Sequence, residues 1–359
     1  MDLNKKSFLR HFTPAKIAIP VAIGLGVVAY MIYRDPAAQD FSRLLDAKLH
    51  WIFITFAVLV VRDFGYMYRI RHITGRFLSW KQSVDVIMLW EFASCVMPSV
   101  VGGSTIATFL LHKEGIKLGK SLAYVIVTAM LDNWYFVIVA PIILYFAKGQ
   151  IFPDVEGLNF SVSSGLEYAL LISYLLITAY AIIMTYALFV NPNGVKRLLI
   201  RIFSIGFLKR WRTGAFRHGN ELVWASHEIK GHSYGYWVKA ILSTAFVWTA
   251  RYYLINCLIA AFTDIDFHDH LLLFARNFVY KVVLMVAVTP GGAGIAEVAF
   301  PTFFGSYLGG FTAIIVLLYR IVTYYLYLIL GSFFLPRWVK RVFSEEHETA
   351  VAQKAVEIR

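Results

Sequence analysis

The sequence predicts an all-α integral membrane protein, with about six spanning helices plus two re-entrant helical hairpins arranged as an inverted repeat. Three observations carry this reading. Of 359 residues, 59% are hydrophobic and the mean hydropathy is +0.63, with several apolar runs long enough to cross a bilayer as helix. Lys and Arg concentrate in alternate loops, the pattern of a multi-pass chain. Two glycine-rich breaks interrupt apolar stretches: Pro98-Ser99-Val100-Val101-Gly102-Gly103-Ser104-Thr105 and Pro290-Gly291-Gly292-Ala293-Gly294-Ile295-Ala296-Glu297. Broken backbone inside a bilayer leaves N–H and C=O groups that lipid cannot satisfy, so such breaks persist only where protein or a water-filled cavity does. Matching breaks in two halves of one chain point to a substrate site near the membrane midplane.

The elements follow in order. The first apolar run, 16–33, is long for the core of a signal peptide and lacks a clear small-x-small cleavage site, so it reads as a retained span. A second span covers 48–68. The segment 82–112 holds the first break and has basic loops on both sides, so it enters and leaves on one face. Spans follow at 120–147 and 167–190. In 191–236, Lys196, Arg197, Arg201, Lys209, Arg210, Arg212 and Arg217 interleave with Leu198, Leu199, Ile202, Phe203, Phe207, Leu208 and Trp211. That pattern suits an amphipathic helix on anionic inner-leaflet lipids, and equally a solvated basic linker. A span at 237–262 precedes the second broken segment, 271–306, which begins after an acidic loop. It must end on the same side, because the last span, 311–335, returns the basic tail to the other face. Span, span, hairpin, span therefore occurs twice, over about 10–150 and 165–340, within one polytopic domain 1–343; residues 344–359 read as a frayed cytoplasmic tail.

The net charge of +12 would suggest nucleic acid for a soluble chain. Here its distribution assigns it to topology. Basic residues fill the loops around Lys5, Arg69 to Lys81, Lys113 to Lys120, Lys196 to Lys230 and Arg337 to Arg341, while Asp154, Glu156, Asp264, Asp266 and Asp269 mark the opposite face. This pattern predicts a multi-pass plasma (inner) membrane protein with both termini cytoplasmic and no nucleic-acid partner.

Ionisable residues inside the predicted spans and hairpins are the next signal, because each costs on the order of 3 kcal/mol at a helix centre unless paired or lining a path. The basic ones are Arg62, Arg251, Arg276, Lys281 and Arg320, a cationic excess; the acidic ones are Asp63, Glu91, Asp132 and Glu297, with Asp85 and Lys239 close enough to span ends to snorkel. Arg62 precedes Pro98 by about the interval at which Arg251 precedes Pro290, and Asp132 and Arg320 follow their breaks at similar distances. Gly102, Gly103, Gly291, Gly292 and Gly294 allow close backbone approach, and the half-helices starting there present free N–H groups to an anion. Ser104 and Thr105 can cap the first half-helix or donate hydroxyls. Glu297 can cap the second, pair with Arg276 or Lys281, or bind an amino group; Asp132 can bind a cation or pair with Arg320. Together these residues suit an anionic group such as a lipid phosphate, and tight helix packing explains the glycines equally well.

Other chemistry is not supported. Cys95 and Cys257 are isolated in apolar segments, with neither metal nor disulfide spacing. The run from Asp264 to His270 matches no standard metal site, no Walker A loop is present, and no nucleophile–base spacing stands out. The sequence therefore calls for no cofactor, no metal and no catalytic residue.

The run from Pro290 to Glu297, followed by a span carrying Tyr319-Arg320, resembles the membrane region of lysylphosphatidylglycerol synthase, which also occurs in stand-alone flippase-like proteins. The Pro98…Gly102-Gly103 break, Arg62 at the inner end of span two and a span carrying Asp132 occur in that family's order. The resemblance covers about 10–340. At the first break the family usually has more polar or charged residues, where this chain has Ser99, Val100, Ser104 and Thr105. The resemblance implies movement of an anionic or aminoacylated phospholipid, or a lipid-linked substrate, between leaflets. The family's full-length members join this region to a soluble aminoacyl transferase domain; here the resemblance implies the translocation part without the synthesis, so any lipid synthase would be a separate partner. The alternatives are a secondary transporter of a small anion and a membrane-embedded lipid-modifying enzyme.

Overall fold

The apolar runs become helices because a segment in hydrocarbon must satisfy its backbone internally. The computed structural model describes residues 12–34, 45–97, 100–147, 160–285 and 289–357, and no strand occurs among them. The helices are α1 (Pro14–Arg34), α2 (Leu49–Ile73), α3 (Trp80–Val96), α4 (Val100–Lys113), α5 (Leu118–Ala147) and α6 (Phe160–Phe189). They continue with α7 (Pro192–Ile202), α8 (Arg212–Ile229), α9 (Tyr234–Ala260), α10 (Phe267–Met285), α11 (Ile295–Leu308), α12 (Thr312–Arg320) and α13 (Leu326–Glu357). A single π turn, Ile321–Tyr325, joins α12 to α13.

Among the described residues, five helices are long and apolar enough to cross a membrane: α1, α2, α5, α6 and the continuous α12–α13. The sixth expected span, α9, has 27 residues and so reaches roughly 40 Å. Arg251, Asn256 and its tyrosines lower its hydropathy, and these polar groups turn inward: Arg251 to Tyr66 of α2 and Glu91 of α3, and Asn256 to His270 O of α10. α2 and α9 run antiparallel along their whole length. Lys48 N donates to Ala261 O at 2.7 Å at one end, and Tyr236 Oη donates to Ile73 O at 2.9 Å at the other. Between them Gly65 lets the helices close, since a Cβ there would stand 2.7 Å from Val247 Cγ1.

Each half of the chain clasps the other. α1 lies on α12, and α6 lies on α5. Likewise α3, which leads into the first break, packs along α13, while α10, which leads into the second, packs on α5. α3 and α4 form one helix pair around the first break; α10 and α11 form another around the second. α3 also packs against the Pro290–Gly292 turn, so the two broken segments meet in the interior.

Two expectations are corrected. Residues 191–236 form not one surface helix but a folded-back pair, α7 and α8, in which α8 packs on α5 and α6. Asn191 caps α7 by accepting from Gly194 N at 2.7 Å, and Pro192 opens it. The tail expected to fray from 344 is instead the continuation of α13 through Glu357.

The end of the α3–α4 pair is pinned by charge. Glu114, whose side chain is fully buried, accepts from Trp338 Nε1 at 2.6 Å and from Arg341 Nη1 at 3.0 Å; Arg341 Nη2 also donates to Asp85 at 2.8 Å. Asp85 is therefore ion-paired, not simply snorkelling. Glu114→Ala leaves the Trp338 indole N–H without its acceptor and the Arg341 guanidinium with Asp85 alone. It should cost about 3 kcal/mol, read as a lower unfolding midpoint in detergent, whereas Asp264→Asn at the exposed Lys48 pair should change stability by less than about 1 kcal/mol.

Candidate functional site

The polar interior is built where α2, α3, α5, α9 and the 320–327 segment converge. On α2, Arg62, Tyr66 and Arg69 recur at helical spacing and share one buried face. Arg62 is only 1% exposed and lies at mid-helix, not at the inner end of the span. Its Nε and Nη2 donate to Asp63 Oδ1 at 3.0 and 2.6 Å, and Tyr327 Oη donates to Asp63 Oδ2 at 2.7 Å. Arg251 on α9 forms a bidentate fork with Glu91 on α3, both bonds 2.9 Å, and donates to Tyr66 Oη at 3.1 Å. Asp132 on α5 pairs with Arg69 and accepts from Trp248 Nε1 at 2.7 Å.

A second cluster forms at the 290–297 break. Gly291, Gly292 and Gly294 have φ of +58°, +66° and +85°, the left-handed region that suits glycine. Glu297, at 0% exposure, accepts from Gly294 N at 2.7 Å, so it caps α11 from within its first turn. Arg320 Nη1 donates to Gly291 O at 2.9 Å, and Arg320 Nε stands 2.8 Å from Glu297 Oε1. That ion pair is misaligned: neither Arg320 Nε nor Glu297 Oε1 has a directed hydrogen bond among the described residues, and the Tyr325 hydroxyl is buried beside them. The π turn places the Tyr324 ring 4.1 Å from the Arg320 guanidinium carbon, a stacked arrangement that suits a desolvated cation. The backbone of α1 closes the cluster at Gly24, where a Cβ would stand 2.7 Å from Glu297 Oε1 and 2.9 Å from Tyr325 Oη.

Cys95 links the two clusters. It lies one helical turn beyond Glu91 on α3, and its Sγ is 3.9 Å from Tyr324 O. Arg62, Asp132, Arg251, Glu297 and Arg320 are thus gathered into one connected interior with Gly291, Gly292 and Gly294. The expected pairing of Asp132 with Arg320, and of Glu297 with Arg276 or Lys281, does not occur; Asp132 takes Arg69 and Glu297 takes Arg320.

The other predicted residues lie apart from these pairs. Arg276 donates to Phe303 O at 3.2 Å and Ser306 Oγ at 3.1 Å, nearer the α10 start. Lys281 has no ion pair among the described residues and faces the rings of Tyr280 and Tyr319 at 5.7 and 5.3 Å. At the first break, Pro98 and Ser99 lie outside the described residues. Gly102, Gly103, Ser104 and Thr105 lie inside α4, which already begins at Val100. Ser104 and Thr105 are therefore past the capping position. Gly103 serves close packing: a Cβ there would meet Ser94 Oγ at 2.9 Å.

Each deep arginine of the two clusters thus has a carboxylate beside it, which neutralises most of the cationic excess that the sequence suggested. The reason is energetic: an unpaired charge in this environment is too costly to keep. Sequence reasoning missed Arg69 by placing it in a cytoplasmic loop, although its spacing from Arg62 and Tyr66 was visible. Tyr327, Trp248 and the π-turn tyrosines carried no signal short of the fold. The acidic 266–269 group is accounted for by helix capping, since Asp269 N donates to Asp266 Oδ1 at 2.7 Å and Asp266 N to Asp269 Oδ2 at 3.0 Å.

Comparison with known proteins now gives this interior its relatives. A family model described as "Lysylphosphatidylglycerol synthase TM region" matches residues 17–331. A "UPF0104 membrane protein" of Archaeoglobus fulgidus is 22% identical over 328 residues, covering 88% of this chain and 94% of that protein. No solved structure matches. With that family model matching most of its length, the chain belongs to the family of the lysylphosphatidylglycerol synthase transmembrane region.

Proposed function

We propose that this chain carries a phospholipid, or another lipid-linked anion, between the two leaflets of the plasma membrane, with both termini on the cytoplasmic side. One observation supports this most: a buried, ion-paired polar interior sits at two broken helix pairs that meet through α3. Lipid cannot satisfy such backbone, and a headgroup-sized polar path can. The clasped halves support an inverted repeat, because α2 and α9 hold equivalent places in the two halves and run antiparallel. In that arrangement the α3–α4 and α10–α11 pairs are re-entrant hairpins opening to opposite faces.

A lipid carrier also needs room for acyl chains beside its headgroup path. Between α2 and α9 lies an open apolar groove of about 520 Å³, lined by residues including Ala57, Val61, Ala245, Phe246 and Ala250. Val61 adjoins Arg62 and Ala250 adjoins Arg251, so tails in the groove would leave the headgroup near the charged interior. Family membership favours a lipid over a small soluble anion, and anionic inner-leaflet lipids would meet the exposed Arg197 and Arg201 of α7.

In liposomes holding the purified protein, a headgroup-labelled phosphatidylglycerol should redistribute between leaflets faster than in empty liposomes. Arg320→Ala should lower that rate by about tenfold or more, as loss of a charged hydrogen-bonding partner implies. Equal rates in protein-containing and empty liposomes, for every headgroup tried, would remove the proposal.

A further inference from the structure

We propose that the proton is a second species handled at this site: an anionic headgroup that takes Arg320 displaces Glu297, and Glu297 takes up a proton as it lets go. This rests on the reading of the interior as a path for a phosphate-bearing lipid.

The geometry singles out this pair from the others. Glu91 and Arg251 are joined by two good bonds of 2.9 Å each, and Asp63 is held by both Arg62 and Tyr327. Only at Glu297–Arg320 are the facing atoms close but misaligned, with Arg320 Nε and Glu297 Oε1 both buried without a directed hydrogen bond among the described residues. Donors of this kind are where a phosphate oxygen gains most, since a planar guanidinium donates to phosphate and to carboxylate oxygens in the same forked geometry. Arg320 is already anchored to Gly291 O through Nη1, so Nε and Nη2 are the edge left for a ligand.

The groups facing Glu297 determine the state of its carboxylate after displacement. From 320–325 these are Arg320, Tyr324 and Tyr325. From α10 it is Tyr280, whose hydroxyl is committed to Ala296 O at 2.9 Å. α1 brings Gly24, and Ile23 against Gly294, neither of which titrates. Cys95 of α3 lies beyond Tyr324, and Lys281 is turned to the rings of Tyr280 and Tyr319. Arg320 is thus the only cation ion-paired with Glu297 among the described residues. Once a phosphate holds that cation, the carboxylate is left fully buried with one N–H bond from Gly294. A buried carboxylate stripped of its counter-ion is neutralised by protonation. One negative charge enters and one proton accompanies it, so the net charge of the site does not change, and no bond other than the O–H on Glu297 is made.

The sign of the pH dependence comes from linkage. Because the bound state holds one more proton than the free state, binding strengthens as pH falls, by about tenfold per unit over the range in which the Glu297 carboxylate is ionised in the free protein and protonated in the complex. Full-length protein in weakly buffered detergent solution, given short-chain phosphatidylglycerol, should take up about one proton per lipid bound. A pH-indicator dye reads the uptake, and lipid retention in native mass spectrometry reads the binding. Glu297→Gln keeps the acceptor for Gly294 N–H but has no charge to lose, so it should bind the lipid with no proton uptake and no pH dependence. The wild-type protein alone decides the matter if that variant does not fold. Lipid binding without proton uptake, or uptake that tracks sodium in place of pH, overturns the proton proposal and leaves the carrier reading standing. Proton uptake on adding inorganic phosphate but not lipid upholds the coupling and overturns the lipid as substrate.

Discussion

Arg251→Leu should destabilise the protein by about 3–5 kcal/mol, whereas the double variant Arg251→Leu with Glu91→Leu should recover most of that loss. The two variants differ in the charge they leave behind. Arg251 serves two partners, Glu91 through a bidentate fork and Tyr66 through one bond, and Glu91 is only 9% exposed. Removing the cation leaves a carboxylate in a low-dielectric interior without its ion-pair partner. Removing both charges leaves apolar side chains of similar reach in an apolar surrounding, at the cost only of the Tyr66 hydroxyl. The unfolding midpoint in detergent, followed by circular dichroism, reads the difference. A single variant as stable as the wild type would mean that the pair holds nothing together. The double variant also separates structure from transport: if Glu91 and Arg251 line the headgroup path, stability returns while lipid translocation does not.

Much of this fold was legible in composition. Hydropathy placed the spanning helices because in hydrocarbon length and apolarity leave helix as the available answer. The glycine break at 290–297 fell where it was expected because its cause is local: Gly291, Gly292 and Gly294 take left-handed backbone that other residues resist. Pairings were not legible, because they join residues far apart in sequence. Nothing local links Glu91 to Arg251, Arg69 to Asp132 or Tyr327 to Asp63. Arg69 shows how a sound rule misled. Loop charge sets orientation, so a run of Arg69, Arg71 and Arg76 read as one basic loop. In the structure α2 continues to Ile73, and Arg69 turns inward to a carboxylate that becomes visible only once α5 is in place.

The basic 191–236 stretch was legible only in part, for a related reason. Its mixture of Arg, Lys and large apolar residues fits a surface helix, and α7 does keep Arg197, Leu198, Arg201 and Ile202 exposed. The fold adds a second helix, α8, whose Ala215, Leu222, Ala225 and Ile229 are buried and which packs on α5 and α6. Amphipathic periodicity states that one face will be covered; it does not state by what.

Gly291→Ala should abolish lipid translocation and lower stability by about 3 kcal/mol, while Gly103→Ala at the first break should leave both close to wild type. The two glycines look alike in sequence and differ in what confines them. Gly291 has φ +58°, and a Cβ on it would sit 2.1 Å from Tyr324 Cε2. That ring cannot simply swing away, because it stacks on Arg320 and its segment is a π turn held between α12 and α13. Displacing it also loosens the Arg320 bond to Gly291 O, and with it the pairing of Glu297. Gly103 has ordinary helical backbone in α4, and its added methyl would crowd Ser94 Oγ at 2.9 Å and make an ordinary contact with Trp90 Nε1 at 3.6 Å. A serine hydroxyl can rotate at small cost. Gly291→Ala combined with Tyr324→Ala removes the clash but not the backbone strain, so it should regain part of the stability and none of the transport if the stacked tyrosine is needed to hold Arg320. Equal loss at Gly103 and Gly291 would instead mean that both breaks act only as hinges, with no special role for the Glu297–Arg320 cluster.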